Sequence, residues 1–88
     1  MNSVTIYTKP DCSYCTKAKM LLSSRSVQYN ELKLNEDFTR EHLLEMFPSA
    51  KSFPVIVVDG FNIGGYDSLQ MMLNEQQSET NLKFLSEG

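Results

Sequence analysis

The chain has 88 residues, of which 8 are basic and 11 are acidic, so its formal net charge is −3. A hydrophobic fraction of 41% and a charged fraction of 22% are ordinary for a globular domain and exclude intrinsic disorder. No apolar run approaches the roughly 20 residues of a membrane-spanning helix, the N-terminus lacks a signal-peptide pattern, and the basic residues are not clustered for nucleic acid. We therefore expect one cytoplasmic domain over 1–88, with neither a membrane nor a nucleic-acid partner.

The first part of the chain predicts a strand followed by a helix. Val4–Thr8 alternates and is rich in β-branched and aromatic residues, which favours a strand. The helix begins at Cys12 or Ser13, and Ser23–Ser26 ends it. Asp11 and Ser13 are both suited to the N-cap position, and the sequence alone leaves that choice open.

The rest of the chain predicts a four-stranded sheet. Residues 27–34 are typical of a strand whose alternation breaks near Asn30, and Asp37–Phe47 is typical of a helix stopped by Pro48. Val55–Val58 is continuously apolar, which predicts a central strand covered on both faces. The remaining predicted elements are a hairpin turn at 59–60, a strand over 61–63 and a helix over 68–73, which 76–85 extends weakly. The predicted order is βαβαββα, an α/β domain.

The two cysteines, Cys12 and Cys15, stand at the first strand-to-helix junction. A disulfide across so short a loop restricts the unfolded chain very little, and a structural zinc site lacks ligands because only His42 remains. Redox chemistry is the hypothesis that is left. The unpaired N–H groups and dipole of a helix N-terminus favour a thiolate at Cys12, and Cys15 is placed one turn on, where it can attack a mixed disulfide.

Three segments in the same order resemble a glutaredoxin, and the resemblance covers nearly the whole chain. They are Tyr7–Cys15, Ser52-Phe53-Pro54 and Ile63–Leu69. The resemblance implies a thioredoxin-like (glutaredoxin) fold with a four-stranded mixed sheet and flanking helices. It also implies a glutathione-dependent thiol–disulfide oxidoreductase that reduces glutathione mixed disulfides and protein disulfides through Cys12 and Cys15. A thioredoxin is disfavoured because the chain has no Trp, which thioredoxins typically carry before their cysteine pair.

The resemblance further implies where glutathione binds. It makes Pro54 cis and facing the cysteines, and it has Phe53 offer its backbone to the cysteinyl part of glutathione. Two departures affect this site: Ala50 stands where many relatives have Gln or Arg, with Lys51 beside it as a substitute, and Ser68 stands where many have Asp. The other implied contacts are Lys9 for the glycine carboxylate, Tyr14 along the groove, and Gly65, Tyr66, Asp67 and Ser68 for the γ-glutamyl end.

The resemblance also implies partners and leaves two rival hypotheses. It implies a monomer with glutathione as co-substrate, acting on glutathionylated or disulfide-containing proteins, ribonucleotide reductase among them. The first rival is a carrier, since some glutaredoxins with Ser at the position of Ser13 share a [2Fe–2S] cluster between two protomers, using the first cysteine of each and two glutathiones. The second rival is a small interaction module with incidental cysteines, whose thiols would be unreactive at neutral pH.

Overall fold

The computed structural model describes residues 2–74, and its elements follow the predicted order βαβαββα. No helix within that range is long and apolar enough to cross a membrane. The predicted weak helical extension over 76–85 lies outside the described residues. The strands are β1 (Val4–Thr8), β2 (Asn30–Lys33), β3 (Val55–Val58) and β4 (Phe61–Gly64); the helices are α1 (Ser13–Ser24), α2 (Arg40–Met46) and α3, which is helical from residue 66 to residue 74.

The four strands form one mixed sheet in the order β2-β1-β3-β4. β1 pairs in parallel with β2 and antiparallel with β3, and β3 pairs antiparallel with β4. Helix α1 is the crossover that a parallel β1–β2 pair requires. The predicted architecture, a four-stranded mixed sheet with flanking helices, is confirmed.

Strand β3 is buried along its whole length, as its continuous apolar run predicts. Because successive strand side chains point to opposite faces, β3 contributes to two apolar layers. One layer contains Val4, Ile6, Ala18, Leu22, Ile56, Val58, Leu69 and Leu73, and the other contains Tyr7, Phe38, Leu43, Val55 and Val57. Helices α1 and α3 therefore pack on one face of the sheet, and α2 packs on the other.

Strand directions bring three distant segments to one end of the sheet. β1 and β4 both run antiparallel to β3, so the last residues of β1 and β4 lie at the same end of the sheet as the first residue of β3. The chain leaves β1 into the cysteine segment, enters β3 from Phe53-Pro54 and leaves β4 into Gly65. The topology thus assembles the three segments on which the glutaredoxin resemblance rests.

Strand β2 begins at Asn30, three residues later than predicted, because the preceding residues complete the end of α1. Ser26 adopts a left-handed φ of 58°, and the N–H of Val27 donates to the carbonyl of Leu22 at 2.9 Å. The N–H of Val27 thereby satisfies a carbonyl that the helix end leaves unpaired.

Helices α2 and α3 also begin at positions that differ from the predictions. Thr39 is the N-cap of α2, and its Oγ1 accepts the N–H of His42 at 3.2 Å. Asp37, the predicted start, instead accepts the N–H of Lys33 at 2.8 Å. Helix α3 starts two residues early because its first turn already closes where the N–H of Leu69 donates to the carbonyl of residue 65 at 3.1 Å.

Candidate active site

Cys12 is the N-cap of α1, which resolves the choice that the sequence left open in favour of neither Asp11 nor Ser13. Its Sγ accepts the backbone N–H of Cys15 at 3.2 Å, so the sulfur satisfies one of the unpaired donors at the helix start. Asp11 adopts a left-handed φ of 56°, which turns the chain from Pro10 into the helix. The Cys12 thiol is free and half-buried, and it is therefore accessible to a disulfide in solvent.

Cys15 is free but buried, with 3% of its surface exposed. Burial raises the pKa of the Cys15 thiol to about 12, helped by the hydrogen bond with Cys12 and the Cys12 charge, while the backbone amide of Lys9 and the ammonium of Lys19 act in the opposite direction. Because the thiolate is the nucleophile, Cys15 is a poor attacking group in the reduced protein. The two thiols therefore have different environments: Cys12 is half-buried and Cys15 is buried.

A groove of about 350 Å³, which we call the aromatic groove, lies at the same end of the sheet. The ring of Tyr14 is 53% exposed and tilts against the ring of Tyr66, with centroids 5.9 Å apart. The groove is lined by Tyr14, Ser52, Phe53, Gly65, Tyr66, Asp67 and Ser68. Six residues that the resemblance implied thus come together, and Ser52 is added to them.

The Phe53–Pro54 peptide bond is cis, as the resemblance implied, and Pro54 is buried. The carbonyl oxygen of Pro54 approaches the next segment closely: a Cβ added to Gly65 would lie 3.4 Å from it. That distance is ordinary van der Waals contact, so the start of the α3 segment packs directly against the Pro54 backbone.

Cationic side chains surround the ring of Phe53. Lys9 Nζ lies 5.9 Å from the ring centroid and Arg40 Cζ lies 5.7 Å from it. Lys51 lines a smaller groove of about 110 Å³ together with Arg40 and Phe53. Lys9 and Lys51 were predicted from the resemblance, but Arg40 was not. The sequence did contain a signal. Arg40 lies in the first turn of α2, where the helix dipole disfavours a cation, so helix stability does not explain an arginine there.

A second, larger groove of about 790 Å³ is lined by Lys9, Cys12 and Cys15, none of which lines the aromatic groove, and it extends to β2. Within it Glu31 accepts a hydrogen bond from Thr8 Oγ1 at 2.8 Å and forms an ion pair with Lys19 Nζ at 3.1 Å. Partial burial opposes the charge on Glu31, but the contacts with Thr8 and Lys19 outweigh it and lower its pKa. Glu31 therefore fixes the position of Lys19 one helical turn beyond Cys15.

A metal or cluster site held by one chain does not fit these residues. Within 2–74 there is no group of three or more His, Cys, Asp and Glu side chains that could hold a metal ion. Cys12 is accessible, but burial keeps Cys15 protonated, and a cluster iron needs deprotonated thiolates. An iron–sulfur cluster would therefore need ligands from a second chain.

The family model and the two relatives described next are all glutaredoxins. The family model described as Glutaredoxin matches residues 4–63. The chain is 38% identical over 69 residues to Glutaredoxin 3 of Escherichia coli (strain K12), covering 78% of this chain and 83% of that protein. It is 35% identical over 72 residues to Glutaredoxin 1 of Rickettsia felis, covering 78% of this chain and 70% of that protein.

Solved structures agree with the sequence comparison. The solution structure of a glutaredoxin from Brucella melitensis is 33% identical, with a TM-score of 0.70 over 91% of this chain and 87% of that one. Glutaredoxin 1 from Francisella tularensis has a TM-score of 0.72 over 86% of this chain and 96% of that one; at 22% identity it shows the fold alone. With two unequal thiols at the start of α1 and this agreement of sequence and fold, the chain belongs to the glutaredoxin family and is a thiol–disulfide oxidoreductase.

Proposed function

We propose that the chain reduces glutathione mixed disulfides and protein disulfides at the expense of glutathione. The observation that carries this proposal is the position of one accessible thiol, Cys12, at the end of the sheet that also holds a groove with cations at one end and a helix N-terminus at the other. Glutathione has a carboxylate at each end and an ammonium group beside its γ-glutamyl carboxylate. The groove offers groups of the opposite charge in that order.

Each part of glutathione has a partner in this scheme. Lys9 and Arg40, which both contact the Phe53 ring, would neutralise the glycine carboxylate. The N–H groups that begin α3 would bind the γ-glutamyl carboxylate, and Asp67 would accept its ammonium group. The backbone of Phe53 would pair with the cysteinyl residue. Tyr14 and Tyr66 would cover the tripeptide from the solvent side.

The proposed reaction is two thiol–disulfide exchanges. The Cys12 thiolate attacks the glutathione sulfur of a mixed disulfide, so a Cys12–glutathione bond forms and the substrate leaves as a thiolate that takes a proton from water. The thiolate of a second glutathione then attacks the bound glutathione sulfur, and glutathione disulfide leaves as the Cys12 thiolate is regenerated. One substrate disulfide is reduced and one glutathione disulfide is formed.

Cys15 would act only with protein disulfides. After Cys12 has formed a mixed disulfide with the protein, Cys15 attacks the Cys12 sulfur, releases the reduced protein and leaves a Cys12–Cys15 disulfide for two glutathiones to reduce. Bond formation at Cys12 removes the charge and the hydrogen bond that help to hold the Cys15 pKa high, so burial alone then opposes ionisation of Cys15. Glutathionylated and disulfide-containing proteins are the proposed substrates, with ribonucleotide reductase an example implied by the family.

The test compares glutathione with glutathione amide, in which the glycine carboxylate is a neutral carboxamide. Charge-assisted contacts contribute roughly 1.5–3 kcal/mol, and we take the low end because the groove is open, which gives about a tenfold lower kcat/KM for the amide. Thiol release from a mixed disulfide of 2-mercaptoethanol, followed by chromatography, measures both.

The Lys9→Ala variant supplies the matched control. It should lose part of the preference for glutathione over its amide, because one of the two cations proposed to bind the glycine carboxylate is gone and Arg40 remains. Equal rates for the two thiols with the unmodified protein would contradict the proposed groove, and no turnover of the mixed disulfide would contradict the proposed function.

A further inference from the structure

Four of the eight basic residues of the chain lie around two of the three aromatic rings of the groove, those of Phe53 and Tyr14. We call Lys9, Lys17, Arg40 and Lys51 the basic rim. Lys9 and Arg40 contact the ring of Phe53, Lys17 Nζ lies 5.1 Å from the centroid of the Tyr14 ring, and Lys51 lines the small groove beside Phe53. Three cations of the rim therefore lie near Phe53, and the fourth lies near Tyr14.

Few carboxylates balance this rim. Asp67 is the one acidic residue among those that line the aromatic groove and the small groove. Within 2–74 the ion pair that the structure contains is Lys19–Glu31, which lies in the larger groove and not in either of these two. The larger groove has three acidic residues against three lysines, one of which is Lys9, the rim residue that also lines this groove. The rim is therefore a positive face on a chain whose net charge is −3.

One glutathione does not account for four cations. Glutathione has two carboxylates, of which the γ-glutamyl one is assigned to the start of α3, so one carboxylate remains for the rim. Lys9 and Arg40 are the rim cations that contact Phe53, where that carboxylate is proposed to lie. Lys17 contacts Tyr14 instead and does not line the aromatic groove. The charges of Lys17 and Lys51 therefore have no partner assigned to them in glutathione.

We propose that the basic rim binds an acidic segment of the protein substrate, with Asp or Glu residues flanking the glutathionylated cysteine. This inference rests on the proposed glutathione-dependent function and adds the substrate class. Charge complementarity of this kind raises the rate of encounter and selects partners, and both effects weaken as salt is added. A substrate that lay over the larger, balanced groove would show no such preference.

The experiment uses three glutathionylated substrates: a peptide with Asp on both sides of its cysteine, the same peptide with Lys at those two positions, and the small mixed disulfide of 2-mercaptoethanol. We expect kcat/KM for the acidic peptide to exceed that for the basic peptide about tenfold at about 10 mM salt, where the Debye length is roughly 30 Å. At about 150 mM salt, where that length is roughly 8 Å, the ratio should fall to about two- to threefold.

Two variants with the same loss of charge locate the effect. Lys17→Gln should lower the ratio of acidic to basic peptide two- to threefold and leave the small disulfide unchanged. Lys33→Gln, which removes a lysine from the larger groove, should leave the ratio unchanged. Equal rates for the two peptides, or a ratio that depends on Lys33 and not on Lys17, would overturn the inference. Failure to reduce the small disulfide would instead overturn the proposed function, so the two failures are distinct.

Discussion

Replacement of Gly64 by alanine is expected to damage both the fold and the γ-glutamyl end of the groove. Gly64 has a φ of 112°, and an added Cβ would lie 2.6 Å from Ser68 Oγ and 3.2 Å from Ser68 Cβ. The left-handed backbone alone costs an alanine roughly 1–3 kcal/mol. The contact adds to this, because the Ser68 hydroxyl must rotate away and its Cβ must move by a few tenths of an ångström.

Gly60 provides the matched control, because its φ is 89° and an added Cβ would meet nothing within 4 Å. Both Gly→Ala variants should lose roughly 1–3 kcal/mol of unfolding free energy from the backbone, which lowers Tm by about 4–8 °C per kcal/mol in a domain of this size, and Gly64→Ala should lose about 1 kcal/mol more from its contact with Ser68. Only Gly64→Ala should also raise KM for glutathione, by several-fold, because it alone moves Ser68.

Chemical unfolding and glutathione kinetics on the two variants measure these effects. A double-mutant cycle with Ser68→Gly isolates the contact, and we expect a coupling of about 1 kcal/mol between positions 64 and 68. The reasoning is refuted if Gly60→Ala raises KM as much as Gly64→Ala does, or if positions 64 and 68 show no coupling.

Three other outcomes are expected. Arg40→Ala should lower kcat/KM for glutathione about tenfold, or ~1.4 kcal/mol, and Lys51→Ala should lower it less; the reverse order would mean that Lys51 and not Arg40 replaces the cation missing at Ala50. Iodoacetamide at neutral pH should label Cys12 and spare Cys15, whose pKa is raised to about 12, and mass spectrometry that finds Cys15 labelled in the folded protein would contradict its burial. Because the Glu31 pKa is lowered in the fold, the stabilisation from its charge is present above the unfolded value near 4.3 and is lost as pH falls through the folded one. Glu31→Gln should therefore cost about 0.5–1 kcal/mol at pH 7 and less as the pH is lowered, and a loss that stays equal across this pH range in urea unfolding would exclude the charge as its cause.

The parts of this molecule that the sequence predicts well depend on local pattern. Val55–Val58 is apolar at every position and is the strand buried on both faces, and Asp59-Gly60 is the turn between β3 and β4. The residues of the aromatic groove were also predictable, because they belong to three short segments whose spacing resembles a known family. The order and directions of the strands then bring those segments to one end of the sheet.

The parts that the sequence did not predict depend on contacts between distant residues. Arg40 reaches Phe53, which lies 13 residues further along the chain, only because Leu43 packs α2 into the apolar layer of β3. Val27 fits a strand by composition, but its N–H completes the end of α1 instead. The N-cap of α1 is a cysteine rather than one of the usual cap residues beside it, so the functional group occupies a position that capping preferences assign to Asp or Ser.

The most direct test of the central claim is the turnover of a glutathione mixed disulfide by two single variants, Cys12→Ser and Cys15→Ser. Cys12 is the accessible N-cap thiol and Cys15 is buried with a raised pKa, so the first exchange needs only Cys12. We expect Cys12→Ser to have no measurable turnover with glutathione and Cys15→Ser to keep most of it, while reduction of a protein disulfide is impaired in both. Turnover by Cys12→Ser, or its loss in Cys15→Ser with the fold intact by circular dichroism, would contradict this division of roles.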